Sequence, residues 1–248
     1  MIEISAWTVF FAALVTALAT GLGAVPFCFV KKVSHWWLSI SNAIAAGLML
    51  GASHSLIAEG AGYSPNRVIA GILIGVGFIA VSRSFLVGRD DLRLGPLQGA
   101  DALKAFMIVG VMTLHSFSEG VGVGVSYGDG SALGVLITAA IAVHNIPEGL
   151  AISLVLVPSG TAVWRAGLWS IFSSLPQPLM AVPAFLFVTA FKPILPVGLG
   201  FAAGAMIWMI FSEIIPDALK HASSNAVAIV VTLSIAAMLA FQALLLMY

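Results

Sequence analysis

Eight stretches of this chain are apolar for about the length a bilayer demands. A helix needs ~20 apolar residues to cross the hydrocarbon core, and continuous runs of that length read as membrane helices. The stretches cover 6–30, 37–60, 67–87, 102–127, 131–157, 163–191, 194–218 and 225–247, with a Pro-rich join at 191–196 (FKPILP). Only 8% of the 248 residues are charged, against roughly 25% in a soluble domain. Mean hydropathy is +1.11. The links are short, and the longest, 88–101 (GRDDLRLGPLQGAD), is charged. No stretch is polar enough for a separate water-soluble domain, so residues 1–248 read as a single all-α, polytopic transmembrane unit of eight helices. Glu3 stands where a cleavable signal would carry basic residues, and the first span is too long for one.

Basic residues give the expected orientation. Lys31, Lys32, Arg83, Arg89, Arg93, Lys104, Arg165 and Lys220 fall in or beside links that share one side, and only Arg67 and Lys192 fall on the other. The positive-inside rule then places both termini on the non-cytoplasmic side. Formal net charge is zero, so nothing electrostatic points to nucleic acid. The single cysteine, Cys28, excludes an internal disulfide or a multi-cysteine metal cluster and reads as a small apolar helix residue.

Against this background two spans carry the same polar pattern: His115 and Glu119 in HSFSEG, His144 and Glu148 in HNIPEG. Spacing of i to i+4 puts each pair on one helix face, one turn apart. Spans 4 and 5 are consecutive, antiparallel and joined by the short link YGDGS (127–131), so the two faces can meet at the midplane. Ionisable groups at that depth are costly and mark function by default. Two imidazoles and two carboxylates suit a divalent transition metal, and two glutamates offset its charge. The competing reading is structural, with each pair tying helices together by hydrogen bonds. Pro147 cannot donate to the carbonyl of Val143. That carbonyl is either an extra ligand oxygen beside His144 or the mark of a packing kink.

Other polar residues suggest a route. His54 and Glu59 lie toward the outer end of span 2, and Glu213 and Asp217 toward the inner end of span 7. Glu59 and Asp217, near span ends, read equally as solvated interfacial groups. His35, near Trp36 and Trp37, reads as part of an aromatic belt, and His221 as solvated. Gly120, Gly122 and Gly124 offer a close-packing face.

HNIPEGLAIS, its H-x-x-x-E-G counterpart in span 4, GLMLGAS (47–53) and EIIPDA (213–218) together resemble the ZIP family of divalent-metal transporters over essentially the whole chain. The resemblance implies a metal site formed by His115, Glu119, His144, Asn145 and Glu148, with Met49 approaching as a soft ligand. It also implies a homodimer as the assembly, no enzymatic activity and no resident cofactor. Two positions depart from the family pattern: Ser116 where Asn is frequent, and Gln177 in SLPQPL where a glutamate is frequent. Both weaken the second of the two metal positions the family often has. The expectation is therefore a transporter, embedded in the bilayer, that moves a divalent metal toward the cytoplasm. Zinc is the first choice, with iron(II), manganese and cadmium behind it. Two rivals stand beside it, a metal-dependent membrane enzyme and a metal-free proton relay. The H-E-x-x-H pattern of the usual metalloproteases is absent, because Ser116 and Asn145 follow the two histidines.

Overall fold

The computed structural model describes residues 4–29, 34–86, 93–94 and 97–246. Its long helices are α1 (Ala6–Thr20), α3 (His35–Tyr63), α4 (Pro65–Leu86), α5 (Gly99–Asp129), α6 (Ser131–Leu156), α10 (Leu195–Met209) and α12 (Ser224–Leu246). α1 runs on through a 3₁₀ turn (Gly21–Ala24) into the short α2 (Pro26–Phe29). α10 passes through a π turn (Ile210–Ile214) into α11 (Ile215–Ala218). Taken with these extensions, seven helices among the described residues are each long and apolar enough to cross a membrane. Start signals are local: Ser5 and Ser34 accept the N–H groups of Thr8 and Trp37, capping α1 and α3.

The expected sixth span is not one helix. It divides into α7 (Val163–Ser174), α8 (Pro176–Leu186) and α9 (Val188–Phe191). Pro176 and Pro178 have no N–H with which to continue the ladder of α7. The chain instead turns at Leu175, whose N–H reaches the Phe172 carbonyl at 3.2 Å. A second turn follows at Phe187, whose N–H is taken by the Pro183 carbonyl at 2.9 Å. The charged link before α5 adds a small antiparallel ladder, β1 (Arg93–Leu94) with β2 (Leu97–Gln98). Lys31, Lys32 and Arg89 lie outside the described residues.

Packing sorts the helices into two groups. α1, α5, α6, α7 and α8 contact one another, as do α3, α4, α10 and α12, and the groups meet where α3 faces α6 and α10 faces α5. In hydrocarbon there is no hydrophobic drive between helices, so close approach at small residues does much of the work. Gly47 and Gly51 of α3 lie against Val231 and Met238 of α12. Gly200 and Gly204 of α10 lie against Val68 and Ile72 of α4, and Gly120 and Gly124 of α5 against Gln177 and Ala181 of α8. In each pair residue numbers rise together, so the partners run parallel.

Gly122 does not join its neighbours in this packing. A Cβ there would meet nothing within 4 Å. α5 and α6 form an antiparallel hairpin through Gly130, whose φ of +139° is a conformation that a residue with a Cβ rarely adopts. That single residue brings the two polar faces opposite each other.

The glycine that ends HNIPEG is under the tightest constraint. A Cβ on Gly149 would stand 1.7 Å from the Thr20 carbonyl oxygen. Gly149→Ala is therefore expected to destabilise the fold by about 2 kcal/mol or more. Gly122→Ala, in open space on a helix, should leave stability unchanged or raise it slightly. Thermal unfolding of both variants in detergent checks the contrast.

Candidate metal centre

His115 sits midway along α5 and its side chain is buried between two carboxylates. Its Nε2 lies 3.5 Å from Glu119 Oε1, one turn along the same helix, and 2.8 Å from Glu148 Oε1 on α6. One ligand atom from each of these three residues falls within 4.8 Å of the others, and all three residues are buried. Ligand atoms each ~2.0–2.1 Å from a tetrahedral zinc stand about 3.3 Å apart. The two separations from His115 bracket that value, and the two carboxylates lie within 4.8 Å of each other. His144 lies on α6 one turn before Glu148, but its side chain is outside the described residues.

A chain of hydrogen bonds orients this cluster from behind. Gln177, at the start of α8, donates its Nε2 to Glu119 Oε2 at 2.5 Å. Its Oε1 accepts from Asn145 Nδ2 at 3.1 Å and from Thr16 Oγ1 at 2.5 Å. Asn145 Nδ2 also donates to the Thr16 carbonyl at 2.8 Å. The ends of the chain can only accept: a carboxylate at Glu119, a backbone carbonyl at Thr16. That fixes which way both amides face. Asn145 Oδ1 is consequently turned away from the network, buried and without a hydrogen-bond partner. A buried amide oxygen left without a partner is a candidate cation ligand.

Both motif glycines serve this arrangement. A Cβ on Gly120, directly after Glu119, would be 2.5 Å from the Gln177 carbonyl, so glycine there lets α8 approach closely enough for its amide to reach the carboxylate. Gly149, directly after Glu148, does the same for the end of α1. Glu119 also lies beside the first turn of α8, where the helix dipole favours negative charge.

The remaining expected residues divide by location. Ser116 is fully buried, with its hydroxyl unpartnered. Met49 is fully buried on α3. His54 and Glu59 line a cavity of about 530 Å³ with Tyr63, Ser126 and Gln242, toward the Tyr63 end of the bundle. A narrower cavity of about 70 Å³ is lined by both Glu59 and Glu119. Glu213 and Asp217 sit at the opposite end in ion pairs. Glu213 lies 3.5 Å from Arg83. Asp217 pairs with Lys104, and with Lys220 at 2.9 Å. His35 and His221 meet there with ring centroids 4.7 Å apart and planes tilted by 39°.

Sequence reasoning missed Thr16 and Gln242, and the pairing of Lys104 with Asp217. Thr16 and Thr20, one turn apart in a first span whose other threonine, Thr8, lies at its start, were the available signal for a polar face on α1. Thr20 indeed bonds Ser174 at 2.7 Å.

A multi-pass membrane protein built around a buried cluster of imidazole and carboxylate groups is the class these observations define. The chain belongs to the ZIP family, and the family described as ZIP Zinc transporter matches residues 95–246. It is 33% identical to the zinc transporter GufA of Myxococcus xanthus over 219 residues, 83% of this chain and 86% of that one. It is 30% identical to the zinc transporter ZIPB of Bordetella bronchiseptica, over 80% of this chain and 69% of that one. An Arabidopsis thaliana protein provisionally named a zinc transporter is 50% identical over 98% of this chain, which spans only 39% of that protein's length. The family is one of transporters rather than enzymes.

Removing the Gln177 amide tests the network. Gln177→Ala leaves Glu119 Oε2 and Asn145 Nδ2 short of a partner and should destabilise the protein by about 1–3 kcal/mol. Gln177→Glu places a second carboxylate beside Glu119 and should raise the amount of zinc bound per chain, read by calorimetry.

Proposed function

We propose that this chain carries a divalent transition metal, zinc first, toward the cytoplasm through a midplane site formed by His115, Glu119, His144, Asn145 and Glu148, with Met49 as a soft contributor. The observation that carries this is the buried convergence of His115, Glu119 and Glu148 from two facing helices. Two ionised glutamates balance one divalent cation, which makes its passage through a dry site electrically tolerable. The names of the relatives favour zinc. Imidazole and carboxylate also accept iron(II), manganese and cadmium.

Topology supports eight crossings. α12 runs parallel to α3, as the register of Gly47 and Gly51 against Val231 and Met238 requires. Parallel direction needs an odd number of crossings between them. α4, α5, α6 and α10 make four, so the broken segment α7–α9 supplies the fifth. With eight crossings and the basic ends of α4, α5 and α7 inside, both termini are outside. His54 and Glu59 then face the exterior as a collecting vestibule. Glu213 and Asp217 mark the inner end, and Ser116 and Gln177 flank the centre. Alternating exposure of a midplane site between helix groups is the movement such a build supports.

Uptake of labelled zinc into proteoliposomes is the test. His115→Ala, Glu119→Ala and Glu148→Ala should each reduce uptake to the protein-free background while the protein remains monodisperse. Uptake surviving these changes would refute the site. A metal-free proton relay would instead dissipate a pH gradient without added metal. Protons and metal compete for His and Glu, so lowering external pH from about 7.5 to about 5.5 should reduce initial uptake at subsaturating zinc. Flat or rising uptake on acidification would contradict that competition.

A further inference from the structure

The final helix contributes an element to this path that the motifs do not contain. α12 is apolar over most of its length, and beyond its first turn only Thr232, Ser234 and Gln242 are polar. Gln242 lies close to the Tyr63 end, where its Oε1 accepts a hydrogen bond from Ser55 Oγ of α3. The contact sits at the end of the close-packed stripe, since Gly47, Gly51 and Ser55 follow one another at i+4 against Val231, Met238 and Gln242.

Both cavities are lined by this pair. The outer one, about 530 Å³, has Ser55, Glu59 and Gln242 in its wall. The inner one, about 70 Å³, has the same three residues and also Glu119. Gly122, Ile137 and Ala140 face both cavities from the other helix group. Gln242 and Ser55 thus stand where the outer space narrows toward the central carboxylate. A cation arriving there has shed part of its hydration, and uncharged oxygens can replace the lost water without trapping the ion as a second carboxylate would.

We propose that Gln242, held by Ser55, is a path-lining residue that passes the metal from the outer cavity to Glu119. The proposal rests on the transport reading above and deepens it by adding α12 to the wall of the route. It assigns Gln242 to the rate and selectivity of entry, not to affinity at the central site.

Gly122 provides the probe position, because a side chain there enters open space on both cavities. In a Cys28→Ser background, Gly122→Cys on intact cells should react with a membrane-impermeant cationic methanethiosulfonate, and faster than with its anionic counterpart. Adding Gln242→Leu should slow the cationic reaction by about tenfold, the effect of losing one hydrogen-bonding partner for a cation. Gln242→Glu keeps an acceptor for Ser55 and should restore it. In the chain with Gly122 intact, Gln242→Leu should lower zinc uptake at low concentration while zinc affinity measured calorimetrically in detergent stays unchanged. An unreactive Gly122→Cys, or reaction and uptake indifferent to Gln242→Leu, would overturn the proposal. So would a Gln242→Leu variant whose zinc affinity falls in step with its uptake, since that is a structural effect on the centre. None of these failures touches the test of His115, Glu119 and Glu148. Conversely, loss of the central site as the transport locus would leave the labelling result standing.

Discussion

Two carboxylates buried in a membrane-spanning bundle set the terms for everything around them. A charged group at the bilayer centre costs ~2.5–3.5 kcal/mol even on permissive insertion scales, so Glu119 and Glu148 must be compensated by neighbours at contact distance. His115 lies between them. Gln177 donates to the far oxygen of Glu119. The contact from Gln177 needs α8 closer to α5 than an ordinary side chain permits, which is why Glu119 is followed by glycine. The break at Leu175–Pro176 belongs to the same requirement, because it begins a new helix whose first turn carries Gln177 to Glu119.

Gln177 clarifies what a neutral amide does where a carboxylate is frequent in the family. It is a hydrogen-bond donor to Glu119 and an acceptor for Asn145 and Thr16, so it spends both ends of its amide on the protein. A group so engaged orients ligands. An ionised glutamate there could not donate to Glu119, and the two carboxylates would need a shared proton or a cation between them. On the transport reading, one metal position backed by an amide network is the arrangement this chemistry favours.

The two ends of the bundle differ in kind. Toward Tyr63, cavities reach from His54 and Glu59 to Glu119, past the uncharged pair Ser55 and Gln242. At the other end Asp217 is held by Lys104 and Lys220, and Glu213 by Arg83, tying α11 to α5 and the π turn to α4. Opposite charges in direct contact resist separation more than a neutral hydrogen bond does. On the transport reading, the neutral end is the one through which an ion is admitted, and release at the other end involves rearranging ion pairs.

The sequence alone determined the medium, the helical class and the positions of the long helices, because hydrophobic length is local and additive along the chain. It also singled out both His–Glu pairs, since i to i+4 spacing on a helix places side chains on one face whatever surrounds them. Other features needed the third dimension. Gly122 shares its spacing with Gly120 and Gly124, yet only those two meet a neighbour, because which helix lies opposite is a property of packing. Thr16, Lys104 and Gln242 look like isolated polar residues in the sequence. Their partners are Gln177, Asp217 and Ser55, each more than a hundred positions away. The sixth apolar stretch was legible as apolar and helical, but its division depends on proline N–H groups missing at the place where α5 asks for an amide. Hydrocarbon length and helical period are written along the chain. Which polar atoms satisfy one another is decided only when distant helices meet, since a hydrogen bond depends on distance in space and not in sequence.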